Sequence, residues 1–126
     1  MKIRVLNDLP IVSANIEVAG KYAVFRSALL DTGSFGSLFR IDILAEAGIQ
    51  ITDTAQLSKI YGVGGYENVL TLQIDKLQVG ELEITSPFIQ TGAMNYGIDI
   101  DAIIGFDFFK ASRAVVDFDR FELRVA

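Results

Sequence analysis

The segment ALLDTGSFGS, residues 28–37, places one acidic side chain, Asp31, between an apolar run and two glycines. A carboxylate at the end of a core strand is partly desolvated, and burial raises the pKa of an acid unless hydrogen-bond donors compensate. A carboxyl group in such a position is suited to proton transfer. Asp, Thr, Gly and Ser are also common turn residues, so the segment taken alone is compatible with an Asx turn or helix cap at a strand end.

The residue types that the chain lacks narrow its chemistry. It has no Cys and no His, which excludes disulfides, thiolate metal sites, cysteine nucleophiles and the base of a Ser-His pair. Proton transfer therefore falls first to carboxylates, with Tyr and Lys behind them. Asp99, Asp101 and Asp107 suggest a hard-cation site, but they lack EF-hand spacing, and the first two alternate as solvent-facing strand positions do. We expect no metal and no other cofactor.

Length and composition indicate one globular domain over residues 1–126. The chain is 51% hydrophobic and 21% charged, which is enough to bury a core and is unlike a disordered sequence. The net charge of −5 and the absence of a Lys/Arg cluster argue against nucleic acid as a partner. No apolar run has the length of a membrane-spanning helix, and the first ten residues lack a signal-peptide core. We expect no membrane partner and a cytoplasmic location.

The elements that must position Asp31 are mostly strands. Apolar and polar residues alternate with a period of two, and glycines or other turn residues divide the runs. These patterns predict three hairpins, over residues 12–30, 72–89 and 114–125. Helix signals are short and predict two helices, at residues 41–47 and 106–111, the first stopped by a glycine. The predicted fold class is all-β, with two short helices.

Two further motifs follow the DTGS segment. KIYGVGGYENV, residues 59–69, has glycines suited to a mobile hairpin tip, and DAIIGFDFF, residues 101–109, sets two isoleucines and a glycine before a short helix. With the three motifs in this order, the chain resembles the retropepsin-like aspartic proteases, which include retroviral proteases and their cellular and prokaryotic relatives. The resemblance covers roughly residues 11–125. It implies a closed β-barrel of the acid-protease type, with residues 59–69 as the flap.

The resemblance also implies catalytic roles for Asp31, Thr32 and Gly33. Asp31 is one half of a dyad, Thr32 braces the loop through hydroxyl bonds across a subunit boundary, and Gly33 leaves its N–H free to hold the carboxylate. Two carboxylates at close range share one proton, so one acts as base on a water while the other donates a proton to the substrate carbonyl. The chain has one such motif, so the second aspartate comes from another copy. We therefore expect a homodimer and a peptide or protein substrate.

Substrate-binding residues are implied in the same way. Ser34 ends the segment LLDTGS, which resembles the catalytic loop, and its hydroxyl is expected to donate to the Asp31 carboxylate, to lower the pKa of the dyad and to give an acidic pH optimum. For the two isoleucines near the C-terminus, an ordinary core position is the alternative. The full set of expected substrate-binding residues is Ser34, Ile60, Tyr61, Val63, Gly64, Gly65, Ile103 and Ile104.

The chain departs from the retroviral pattern at the rim of the site. Retroviral members carry acidic residues that grip the substrate backbone soon after the catalytic loop and an Arg after the late glycine, whereas this chain has Phe35 and Phe106. We expect these two aromatic rings to be in contact. The last residues, 121–126, form an alternating apolar run that is either part of the dimer interface or a strand of the chain's own sheet.

The sequence predicts an aspartic endopeptidase that uses a water activated by Asp31 from two subunits. The alternative is a catalytically weak or inactive module of the same fold that dimerises and binds extended peptides by strand addition. A third interpretation is an unrelated small β-barrel in which Asp-Thr-Gly is only a turn.

Overall fold

The computed structural model describes residues 1–51, 55–62 and 65–126. Strands account for 55% of the described residues and helices for 11%, which confirms the all-β class. In the described ranges, a main sheet contains β1 Arg4–Leu6, β2 Leu9–Val18, β3 Lys21–Leu30, β4 Leu38–Arg40, β5 Gln56–Gly62, β6 Gly65–Gln73, β7 Lys76–Val79, β8 Leu82–Thr85, β9 Phe88–Gly92 and β10 Ala102–Ile104. A second sheet contains β11 Ala114–Asp117 and β12 Glu122–Val125, and the helices are α1 Ile41–Glu46 and α2 Phe106–Ser112.

The predicted hairpins and helices are present. β2 pairs with β3, β7 with β8 and β11 with β12, each antiparallel. The run predicted as one strand before Gly80 is divided, because β6 ends at Gln73 and β7 begins at Lys76. Between them, Asp75 accepts the N–H of Ala19 at 2.7 Å and donates its own N–H to Glu17. This contact with the β2–β3 turn redirects the chain from one pair of strands to the next.

The order of strands in the main sheet is β5-β6-β9-β4-β10-β3-β2-β7-β8, with β1 paired to β2. Within the described residues, no pairing joins β5 to β8, so the expected closed barrel is not confirmed. The short strand β10 lies between β3 and β4, parallel to β3 and antiparallel to β4. The chain leaving β3 must therefore cross the end of β10 to reach β4, and this crossing is made by residues 31–37.

Two hydrophobic clusters hold the sheet together. The larger cluster contains Phe25 and Phe39, whose rings pack edge to face with centroids 5.0 Å apart. Burial of one such side chain stabilises a fold by about 2 to 3 kcal/mol. The smaller cluster contains buried Ile11, Leu38, Val69, Met94 and Ile100. It lies between the β3–β10–β4 region and the β5–β6 hairpin, because Leu29 and Ile103 pack on it from one side and Ile60 from the other.

The C-terminal strand β12 is paired on both edges within its own chain. β11 lies along one edge, and residues 1–3 lie along the other, where Leu123 donates its N–H to Met1 and Ile3 donates to Phe121. The interpretation of residues 121–126 as a strand of the chain's own sheet is therefore confirmed. In the part of the chain that the structure describes, neither helix has the length and apolar character needed to cross a membrane.

Candidate active site

The Asp31 loop begins where β3 ends and is fixed by backbone hydrogen bonds. Asp31 donates its N–H to the carbonyl of Ile104 at 2.9 Å, which extends the β3–β10 pairing by one residue. Gly33 donates its N–H to Asp31 Oδ1 at 3.0 Å, and Ser34 donates to the Asp31 carbonyl at 3.1 Å. The bond expected between Gly33 and the carboxylate is thus present. The Asp31 side chain is half-buried and held in one orientation.

Ser34 does not bond to the carboxylate as expected. Its hydroxyl donates to the carbonyl of Gly36 at 2.9 Å, which tightens the loop itself. The expected Ser34–Asp31 hydrogen bond is therefore absent, because a hydroxyl has one proton to donate. The prediction of an acidic pH optimum was based on this hydrogen bond, and it therefore no longer has a structural basis.

The turn between β10 and α2 packs in direct backbone contact with the Asp31 loop. Phe106 donates its N–H to the Ser34 carbonyl at 2.7 Å. A methyl group built on Gly105 would lie 2.3 Å from the Gly36 carbonyl oxygen and 2.9 Å from that of Ser34. Both distances are far below a normal contact, and the atoms met are backbone atoms that cannot swing away. Only a glycine fits at position 105.

A buried serine connects the end of the loop to the same turn. Ser37 is 1% exposed. Its hydroxyl donates to Asp107 Oδ1 at 2.8 Å and accepts the N–H of Gly105 at 3.0 Å, while its backbone N–H donates to Asp107 Oδ2 at 3.2 Å. Asp107 also accepts the N–H of Phe108 in the first turn of α2. These bonds join loop, strand and helix, and among the described residues no buried polar side-chain atom lacks a hydrogen-bond partner.

Asp101 has a structural role that sequence reasoning missed. It was expected at a solvent-facing strand position, but its side chain is half-buried and points to β3. There Arg26 and Ser27 together lie opposite a single β2 residue, so they form a β-bulge. Both bulged N–H groups donate to the Asp101 carboxylate, each at 3.1 Å. The carboxylate thereby replaces the ladder bonds that the bulge removes from β3.

The same residue also links β3 to β4. The Asp101 N–H donates to the Ser27 carbonyl and its own carbonyl accepts the N–H of Arg40, both at 3.0 Å. Burial raises the pKa of Asp101, and the N–H groups of Ser27 and Arg26 together with the Arg40 charge only partly oppose this rise. No local sequence pattern indicates this role, because Asp101 lies more than seventy residues after the bulge in the sequence.

A cleft of about 300 Å³ opens beside Gly33, so the Asp31 carboxylate lies at its edge. Its described lining residues are all uncharged, and they come from the Asp31 loop, β4, β5, β9 and β10. These residues are Gly33, Ser34, Phe35, Gly36, Leu38, Ile60, Tyr61, Gln90 and Ile103. Four residues expected at the substrate site, Ser34, Ile60, Tyr61 and Ile103, thus line one cleft.

Ile104 and Thr32 differ from the cleft residues. The Ile104 side chain is fully buried in the larger cluster, because successive side chains of β10 point to opposite faces of the sheet. Its contribution to the site is the carbonyl that accepts the Asp31 N–H. The core position that was the alternative for Ile104 is therefore the one observed. Thr32 is exposed beside Asp31.

The rings of Phe35 and Phe106 do not pack together as expected. Phe35 is 92% exposed and Phe106 is 52% exposed. A ring with so little covered surface has no aromatic neighbour, although the two backbones are joined through Ser34. Both aromatics therefore present open apolar surface, and that of Phe35 lies at the cleft.

The β5–β6 hairpin covers the cleft from the other side. Tyr61 and Tyr66 are cross-strand neighbours, with ring centroids 6.2 Å apart, and the ammonium of Lys59 lies 4.5 Å from the Tyr66 ring centre. Gly65 opens β6 opposite Gly62. The expected tip residues Val63 and Gly64 lie outside the described residues.

Glu67 attaches the hairpin to the segment after β9. Its carboxylate accepts the N–H of Met94 at 3.2 Å and the hydroxyl of Tyr96. Burial first, and then the hydrogen bond to Glu67, raise the pKa of Tyr96 above its ordinary value. Tyr96 is therefore a neutral hydroxyl donor at neutral pH, which keeps this attachment intact.

The three aspartates considered for a cation site do not converge. The Asp101 carboxylate faces the β3 bulge and that of Asp107 faces Ser37. No group of three acidic side chains within residues 1–51, 55–62 and 65–126 is arranged to hold a metal ion.

Comparison with known families identifies one match. A family model described as aspartyl protease matches residues 14–108. The matched region includes the Asp31 loop, the β5–β6 hairpin and the β10–α2 turn. The comparison with curated proteins gave no match.

Proposed function

The chain belongs to the aspartyl protease family, of the retropepsin-like type, and on this premise we propose that it is an aspartic endopeptidase. It hydrolyses peptide bonds with a water activated by two Asp31 carboxylates, one from each of two subunits. The fold of the working enzyme is then that of the acid proteases, with the β5–β6 hairpin as its flap.

One observation carries the proposal. The Asp31 carboxylate is oriented by the Gly33 N–H at the edge of an uncharged cleft. An extended peptide that enters this cleft meets a fixed carboxylate and uncharged walls. A module that only binds peptides has no need for a carboxylate there, since an unpaired charge beside apolar surface is costly.

The proposed reaction needs two carboxyl groups, one to accept a proton and one to donate a proton, and therefore needs a second subunit. The attacking water loses a proton to one carboxylate while the substrate carbonyl oxygen gains a proton from another group. The described residues that line the cleft include no second acid. A second Asp31 across a two-fold axis supplies that acid, because two carboxylates at close range share one proton. Thr32 is exposed beside Asp31, as hydroxyl contacts between subunits require.

The reaction proceeds in two proton-balanced steps. The ionised Asp31 removes a proton from water as the water oxygen bonds to the peptide carbonyl carbon, and the protonated Asp31 donates to the carbonyl oxygen. The tetrahedral intermediate then breaks the C–N bond as the leaving nitrogen takes a proton from the protonated carboxyl group. The ionised carboxylate takes a hydroxyl proton from the intermediate, so the product is a carboxylic acid and the dyad again holds one proton. The Gly33 N–H holds one carboxylate oxygen in place throughout.

The test compares Asp31→Asn with wild type on a mixed peptide library at pH 4 to 7. We expect the variant to lose at least about a hundredfold in rate, the size of effect typical for a general acid–base group. Asp42→Asn is the matched control, since Asp42 is an exposed aspartate on α1. Sedimentation at working concentration is expected to give a dimer for all three proteins.

Equal cleavage by Asp31→Asn and wild type would contradict the proposal. Peptides bound by both proteins and cleaved by neither would instead support the non-catalytic binding module. Activity confined to a monomer would contradict the shared dyad alone.

A further inference from the structure

One row of side chains crosses the sheet beneath the cleft. Gln90 on β9 pairs with Leu38 on β4, Leu38 pairs with Ile103 on β10, and Ile103 pairs with Leu29 on β3. Residues directly opposite one another on neighbouring strands project from the same face. Gln90 therefore continues the row that begins next to the catalytic aspartate.

The chemistry of this row changes along its length. Leu29, Ile103 and Leu38 are apolar and pack on the smaller hydrophobic cluster. Gln90 is the first polar side chain of the row, and it is half-buried, whereas its neighbours Ile89 and Thr91 point to the opposite face and are 2% and 1% exposed. The cleft is thus apolar near Asp31 and polar at its β9 side.

The Gln90 carboxamide is available to a ligand. The amides of Gln73 and Gln78 donate to backbone carbonyls, but within the described ranges that of Gln90 takes part in no hydrogen bond. It extends toward the catalytic loop, since a methyl group built on Gly36 would lie 3.1 Å from Gln90 Oε1. A free carboxamide offers two donors and one acceptor.

The surroundings of Gln90 discriminate among peptide side chains. The cleft volume of about 300 Å³ accommodates a side chain of moderate size, and its described lining residues carry no charge. A charged side chain would lose water there and gain no partner of opposite sign. A carboxamide pairs with Gln90 reciprocally, each giving one N–H and accepting one, and a site built in this way rejects groups that leave it unpaired.

We propose that the β9 side of the cleft is a binding subsite for an Asn or Gln side chain of an extended peptide, and that Gln90 recognises it. This inference rests on the proposed proteolytic function and names its substrate class. β9 lies three strands away from β3, so the recognised side chain is displaced from the scissile bond. Two-fold symmetry of the dimer places a second copy at the same distance on the other side.

The experiment profiles cleavage sites in a proteome-derived peptide library with wild type, Gln90→Leu and Gln90→Glu. Wild type is expected to enrich Asn and Gln at two positions equidistant from the scissile bond. Gln90→Leu is expected to lower this preference by about fivefold to a hundredfold, the equivalent of the two hydrogen bonds of the reciprocal pair. Gln90→Glu is expected to favour Lys or Arg there. Gln73→Leu, the same change on an exposed amide of β6, is expected to leave the profile unchanged.

A profile that neither Gln90 variant alters would overturn the subsite, even if cleavage itself is robust. A second arm uses the same library for affinity selection with Asp31→Asn, alone and combined with each Gln90 substitution. Retention of Asn- and Gln-containing peptides that depends on Gln90, without cleavage by wild type, would support the subsite and reject proteolysis. Peptides neither cleaved nor retained would overturn both proposals.

Discussion

The two sides of the cleft are built in opposite ways. Residues 31–37 on one side have no regular secondary structure, yet their polar groups bond to β10, to the turn after it and to α2. The β5–β6 hairpin on the other side is regular, yet its side chains at Leu57, Tyr61 and Tyr66 are 73%, 79% and 60% exposed. Regular structure and rigidity are therefore different properties, and here the irregular segment is the fixed one.

The number of supports explains this difference. The loop is held by three neighbouring elements and by direct backbone contact at Gly105. In the described part of the chain, the hairpin is attached to the sheet through β9 and through the contacts of Glu67. Local stability follows buried contacts and protected hydrogen bonds. Substitutions are therefore expected to lower the free energy of unfolding much more on the loop side than on the hairpin side.

The largest effect is expected from Gly105→Ala. The new methyl group would overlap the Gly36 backbone at 2.3 to 2.6 Å, so the loop and turn would have to separate. Overpacking of this kind lowers the free energy of unfolding by about 3 kcal/mol or more. Urea unfolding measures the loss, and cleavage of the peptide library measures the damage to the Asp31 loop.

Gly65→Ala is the matched change on the hairpin. A methyl group at Gly65 meets no atom of the described residues within 4 Å, but its φ of +118° disfavours any other residue. The strain lowers the free energy of unfolding by about 1 to 2 kcal/mol. If Gly65→Ala proved as disruptive as Gly105→Ala, the contrast between the two sides would fail.

A smaller effect on the loop side is expected from Asp101→Asn. The amide nitrogen would face one of the two bulged N–H groups that the carboxylate now accepts, which leaves a donor unpaired and lowers the free energy of unfolding by about 1 to 3 kcal/mol at pH 7. Asp99→Asn is the control, because Asp99 is exposed two residues earlier. Equal stability of the two variants would show that Asp101 does not hold the bulge.

The contribution of Asp101 to the free energy of unfolding is expected to decrease as the pH rises. Burial raises the folded-state pKa of Asp101 above 3.8, so the folded state binds the proton more tightly than the unfolded state. This contribution to stability is complete below pH 3.8 and is lost as the pH rises through the raised folded value. Unfolding measured between pH 3.5 and 7 is therefore expected to show wild type losing stability relative to Asp101→Asn as the pH rises.

The smallest effect is expected from Tyr96→Phe on the hairpin side. The change removes the hydroxyl that Glu67 accepts but keeps the ring, so the free energy of unfolding changes by less than about 1 kcal/mol. Amide hydrogen exchange in β5 and β6 is expected to accelerate, while exchange in residues 31–37 stays the same. Faster exchange in the loop would mean that the two sides are coupled.

Local features of the sequence were sufficient to predict the hairpins, the helices and the position of Asp31. Period-two alternation marks strands, and the glycine after residue 47 ends α1 where it was expected. The DTGS motif located the carboxylate, and the resemblance to the retropepsin-like proteases implied the Gly33 N–H bond that the structure contains.

The supports of the site could not be predicted, because they join residues far apart in sequence. Ser37 and Asp107 are separated by seventy positions in the sequence. Asp101 accepts hydrogen bonds from a β-bulge in β3 that no sequence pattern in residues 21–30 predicts. Ser34 shows that a partner close in sequence can be wrong as well, since its hydroxyl donates to the Gly36 carbonyl and not to the Asp31 carboxylate. Hydrogen-bond partners depend on register, and register is set by the whole sheet.

The bonded loop has a consequence for the thermodynamics of ligand binding. Fixing a residue's backbone costs about 1 to 2 kcal/mol in conformational entropy. Residues 31–37 lose much of this entropy when the chain folds, because the N–H groups of Asp31, Gly33, Ser34 and Ser37 are already hydrogen-bonded. A ligand that settles on them orders little more of the chain there, so the entropic penalty of binding comes from the hairpin and from the ligand itself.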